Sequence, residues 1–173
     1  MLIPLAIVCG LVLTSAVFSA ISLFTYGWAT MVIPYDFYSG EEILLGLVPF
    51  DDNSPGWLIA TSIFMYLNFT CIILCFLLAL FGLLLFIFIG NPKFQKFIFV
   101  ALAAFTFLTG LFGAIAFVLF AANYDNDDYD VGSGYQIYIG YSPFLDLIGF
   151  VIAIIATGVS AFFAISLLNS DVD

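Results

Sequence analysis

Few residues in this chain could carry chemistry, and they fall in three places. Asp125, Asp127, Asp128 and Asp130 crowd into six positions. A calcium loop spaces such acids around a glycine and closes on a glutamate. This cluster has neither, and it reads as a solvated acidic loop. Asp146 stands by itself at the rim of an apolar run. A carboxylate inside a membrane span is a functional candidate by default. Asp146 follows Pro143, however, where a helix N-terminus favours an anion, so capping or interfacial solvation is expected. Cys71 and Cys75 share one helical face, and Cys9 lies in another run. With no histidine and no Cys-x-x-Cys, the thiols read as small buried apolar groups. Asn68-Phe69-Thr70 matches a glycosylation sequon but lies inside an apolar run, out of reach of sugar transfer. No nucleophile–base pair or phosphate-binding glycine loop is present. The expectation is no enzyme, no metal and no cofactor.

The bulk numbers explain this scarcity. Of 173 residues, 65% are hydrophobic and 8% charged, with a mean hydropathy of +1.25. A water-soluble domain of this composition would expose one continuous apolar patch. The chain is therefore read as an integral membrane protein in a single domain, 1–173. Twelve acids oppose two lysines, for a net charge of −10. That excludes nucleic acid as a partner, since such binding needs a basic surface.

Apolar runs over about 2–24, 57–89, 97–122 and 144–168 are each long enough to cross a bilayer. A cleaved signal peptide is the alternative for the first run, but it is longer than usual and lacks a basic start. The second run is about 33 residues, so it must tilt or stand partly outside the lipid. The turn 90–96 holds both basic residues, Lys93 and Lys96. Short cationic loops stay in the cytoplasm, so both termini are expected inside and the loops 25–56 and 123–143 outside. Trp28 and Trp57 bracket the first outer loop and are expected at the lipid interface. Residues 29–33 and 43–48 have strand composition, as does the Gly134–Gly140 stretch. The acids Asp36, Glu41, Glu42, Asp51 and Asp52 give the first outer loop its charge.

Lipid offers no hydrophobic drive for helices to pair, so small residues that allow close approach must do it. Gly149, Ala153, Thr157 and Ala161 step by four along the fourth run, and Thr106, Gly110 and Ala114 along the third. These faces are expected to pack within the bundle, with a dimer seam as the alternative. The phenylalanines of the second and third runs are expected to face lipid or fill gaps.

Four spans with a longer first outer loop, a tight inner turn and a shorter second outer loop resemble the claudin superfamily, which includes peripheral myelin protein relatives and calcium-channel gamma subunits. The Phe105–Ala114 stretch is similar to that family's glycine-rich third span. Gly140-Tyr141-Ser142-Pro143-Phe144-Leu145 resembles its approach to the fourth. Gly46-Leu47-Val48 falls where the family has Gly-Leu-Trp. The first outer loop lacks the family's cysteine pair, Val48 replaces the tryptophan, and Asp171-Val172-Asp173 is not a usual PDZ ligand. The resemblance implies a four-helix membrane bundle capped by a small extracellular antiparallel β-sheet.

The expected function is a non-enzymatic claudin-like protein of the plasma membrane. It would act by lateral association with itself or another integral membrane protein, in cell–cell contact or as an accessory subunit of a channel or receptor. The alternatives are a pore-forming channel or carrier subunit, a MARVEL-type membrane-traffic scaffold, and a membrane-embedded enzyme using Asp146.

Overall fold

In the computed structural model the described residues are 2–32, 42–47, 56–88, 92–124 and 136–169. Four helices dominate: α1 (Leu2–Phe24), α2 (Gly56–Phe88), α3 (Pro92–Asn123) and α4 (Ser142–Asn169). All four are long and apolar enough to cross a membrane. Three short strands join them: β1 (Ala29–Val32), β2 (Glu42–Leu45) and β3 (Gln136–Ile139).

Helix α1 packs on α2 and α4, and α3 packs on the same two. Contacts run in opposite directions along each pair. Ser15 and Ser22 of α1 bond to Gly149 and Ser142 of α4. On the α2–α3 side, Gly82 meets Ile98 and Gly113 meets Asn68. The chain thus goes up and down four times, the topology that short connections favour.

The bundle is apolar outside and partly polar inside. Val17, Leu77, Phe81, Val118 and Phe162 are exposed, whereas Ser15, Ser19, Thr106, Ala153 and Ser160 are buried. In lipid this arrangement costs nothing at the surface and lets small residues bring the backbones together.

Two apolar clusters divide the interior. One gathers Leu5, Val8, Val12, Ile72, Ala79, Phe99 and Leu102. The other, at the sheet end, gathers Leu23, Trp28, Leu47, Met65, Ala116 and Phe120. Between these levels lie buried Ser19, Asn68, Thr109 and Asp146, together with Gly113.

The sheet is antiparallel with order β2-β1-β3. β2 starts at Glu42, one residue earlier than its composition suggested, and ends before Gly46 and Leu47; Ile33, Val48, Gly134 and Tyr135 of the expected strands lie outside the described residues. Residues 92–96 of the expected turn 90–96 are helical. Proline suits a first helical turn, where its missing N–H is not needed, so α3 starts at Pro92 and takes in both lysines. Trp28 departs from the expected lipid interface. It is 1% exposed and packs edge-on against Phe120, centroids 5.0 Å apart, because its indole N–H finds a partner indoors.

Candidate functional site

Two regions combine polar groups with defined geometry: the collar that seats the sheet on the bundle, and the polar layer below it. The collar begins where α1 ends. The last carbonyls of a helix lack intrahelical partners. Here the Ile21 carbonyl accepts from Thr25 Oγ1 at 2.7 Å, and the Ser22 carbonyl accepts from Trp28 Nε1 at 2.6 Å. The chain then turns directly into β1.

β3 is tied back in the same way. Gly140 N donates to the Trp28 carbonyl at 2.9 Å, and Ser142 N to the Gly27 carbonyl at 2.8 Å. Ser142 also shares a 2.7 Å hydroxyl bond with Thr25 Oγ1 and accepts Ser22 Oγ on its carbonyl at 2.9 Å. A methyl on Gly140 would strike the Gly27 carbonyl, and one on Gly27 would strike the Tyr141 ring. Both glycines are required by this close approach. On the α2 side, Ser62 Oγ donates to the Leu47 carbonyl at 3.1 Å, which anchors the end of the β2 segment over the first turns of α2.

The sheet's two faces differ. Leu44, Thr30 and Tyr138 are in register across the three strands, so they share one face. Leu44 and Tyr138 are exposed there, as are Tyr26 and Tyr141 beside it. Ala29, on the other face, is buried. Of the acidic candidates, Glu42 opens β2 opposite Val32. Asp36, Glu41, Asp51, Asp52, Asp125, Asp127, Asp128 and Asp130 lie outside the described residues. Lys93 and Lys96 lie in the first turns of α3, at the end away from the sheet.

Several small residues named from the sequence sit between helices. A methyl on Gly110 would come within 2.9 Å of Ile154 Cγ1, and one on Gly149 within 3.2 Å of Ser19 Oγ. Ala153 is buried. Thr157 Oγ1 bonds to Thr106 Oγ1 at 2.9 Å, joining α4 to α3. Ala114 and Ala161 are half-buried. Cys75 is buried and Cys9 and Cys71 half-buried, all free. Among the described residues no cluster of His, Cys, Asp or Glu could hold a metal.

Asp146 does not cap α4 into solvent. It is fully buried, and its Oδ1 accepts from Asn68 Nδ2 at 3.3 Å. Gly113 of α3 makes room for the pair: a methyl there would lie 3.1 Å from Asn68 Nδ2 and 2.8 Å from Phe150 Cβ. Sequence reasoning missed the pairing of Asn68 with Asp146 and the place of Gly113 beside it. The available signal was Asn68 itself, a carboxamide within a charge-free apolar run. Such a group needs a partner inside the membrane, and Asp146 is the one acid in any of the four helices.

The fold agrees with a family-level match. The family model described as "Tight junction protein, Claudin-like" matches residues 1–167. This chain belongs to that claudin-like family. The claudin-like match covers the three strands and the four helices to within two residues of the end of α4, so the four-span bundle and its sheet fall within one family match. No curated protein matches the chain in sequence.

Proposed function

We propose that this claudin-like protein is a non-enzymatic plasma-membrane protein that associates side by side with copies of itself where two cells meet. The observation that carries this reading is the outward row Leu44–Thr30–Tyr138, flanked by exposed Tyr26 and Tyr141, on a sheet bonded to the bundle without a linker. Tyrosine offers a large contact area at low entropic cost, and a rigid base spares the ordering cost of binding. The family description, which names tight junctions, supports the same reading. So does α1, which turns Ala6, Gly10 and Thr14 outward at successive steps of four, a spacing that suits close helix pairing in lipid.

In this reading the lysines hold the far end of the bundle, and both termini, in the cytoplasm. The acidic loops then face the space between cells and draw cations into it. Crosslinking in intact cells, followed by identification of what is captured with the tagged protein, tests the proposal. Self-contacts concentrated at cell borders are expected. Stoichiometric capture of a channel or receptor subunit would instead make the chain an accessory protein. Conductance by the purified, reconstituted protein would point to a pore.

A further inference from the structure

The polar layer is left with an imbalance. Asn68 Nδ2 already donates to Asp146 Oδ1. The remaining oxygens of the two groups, Asn68 Oδ1 and Asp146 Oδ2, are both buried, and among the described residues neither has a hydrogen-bond partner. With the carboxyl ionised, each can only accept. A buried acceptor left unmade costs about 1–3 kcal/mol, more when charged.

Among the described residues no side chain supplies the missing positive charge. The two lysines are its only basic side chains. Lys96 precedes Gly113, which touches the pair, by 17 positions, or about 25 Å of helix, and Lys93 is farther still. Among the described residues, α1, α2 and α4 carry no charged side chain other than Asp146. Ser19 of α1 is also buried with an unpartnered hydroxyl. The two α1–α4 bonds, Ser15 to Gly149 and Ser22 to Ser142, place Ser19 level with the turn that holds Asp146. A neutral hydroxyl cannot balance a carboxylate. An isolated buried carboxylate in an apolar medium is neutralised rather than tolerated.

A carboxyl and a carboxamide are planar forks of matching span. One arm of each is already joined. A single hydrogen between the other two arms would close a ring of two parallel bonds and satisfy both stranded oxygens. We propose that the Asn68–Asp146 pair is a proton-binding site, in which Asp146 is a neutral acid whose Oδ2–H donates to Asn68 Oδ1. The proton comes from water, as a hydronium ion gives it to the carboxylate and leaves a water molecule behind. The bound proton locks α2 to α4 across the middle of the bundle, and the Gly113 notch leaves room for the lock.

The test is infrared spectroscopy of the full-length protein in lipid bilayers at neutral pH. The expected result is a carboxylic-acid carbonyl band that moves on carbon-13 labelling of aspartate and disappears in Asp146→Asn. In Asn68→Leu, which removes the donor to Oδ1, the band should shift to higher frequency. Asp146→Asn keeps a two-bond amide pair and should hold the wild-type Tm, whereas Asp146→Ala should lower it. The labelled wild-type spectrum stands even if a variant fails to fold. A carboxylate signature for the buried aspartate, with no acid band, overturns the proposal. If that signature changes when Na+ is replaced by a bulky organic cation, the three stranded oxygens hold sodium instead. An Asp146→Asn variant as unstable as Asp146→Ala also counts against the proton.

Discussion

The indole of Trp28 donates a 2.6 Å hydrogen bond to the main-chain carbonyl of Ser22. That carbonyl is one of the last four of α1, which have no partner within the helix. One side chain therefore ends a membrane helix and leads into the sheet. Trp28→Phe keeps most of the packing on Phe120 and removes the bond. It should cost about 0.5–1.5 kcal/mol. Trp28→Ala also empties the site and should cost about 3–5 kcal/mol. Reversible unfolding in detergent micelles distinguishes the two.

Gly113 gives the sharpest packing prediction. Gly113→Val would push against Phe150 Cβ and the Asn68 amide. A loss of about 1–3 kcal/mol is expected. Gly158→Val is the control, because nothing lies within 4 Å of a methyl added there. It should stay within about 0.5 kcal/mol of wild type.

Gly10 separates association from folding. It also has nothing within 4 Å of an added methyl. Gly10→Leu should leave the Tm unchanged and weaken self-crosslinking several-fold if copies meet along α1. Unchanged crosslinking with an intact fold would remove α1 from the proposed contact.

Gly27→Ala and Gly140→Ala attack the collar. Neither added methyl fits, so the bonds from Gly140 N to the Trp28 carbonyl and from Ser142 N to the Gly27 carbonyl should be lost. The sheet is expected to loosen while the helices persist. Hydrogen exchange should show faster exchange at residues 136–142, with slow exchange retained in α2 and α3.

Charge supplies the last prediction. Neutralising Asp36, Glu41, Glu42, Asp51 and Asp52 together should reduce the cation preference of the space between cells expressing the protein. Ion-dilution potentials across a monolayer measure this. An unchanged preference would separate the acids from the proposed role.

The four spans were legible because a charge-free run of more than about 20 residues identifies itself without knowledge of its neighbours. Strand composition and glycine placement likewise marked strands in both long loops, and the claudin resemblance implied that they form one sheet. What stayed hidden depended on distant partners. Trp28 belongs at the interface by residue type, and only the Ser22 carbonyl and Phe120 show why it turns inward. Asp146 and Asn68 are 78 residues apart in the chain. Each was read against its own helix, as a cap and as an unused sequon, whereas their environment is set by the helix opposite. Pro92 has a local explanation: a proline that looked like part of a turn starts a helix equally well.

The collar has a mechanical consequence. Only two residues separate β3 from α4, and the first of them, Gly140, and the first residue of α4, Ser142, are bonded to the backbone of the β1 approach. A pull on the sheet therefore meets little slack. It passes through the Gly27–Ser142 and Trp28–Gly140 bonds into α1 and α4 together, loading two lipid-anchored helices in parallel. Tension on the sheet would be shared by the helix pair rather than concentrated on one strand end.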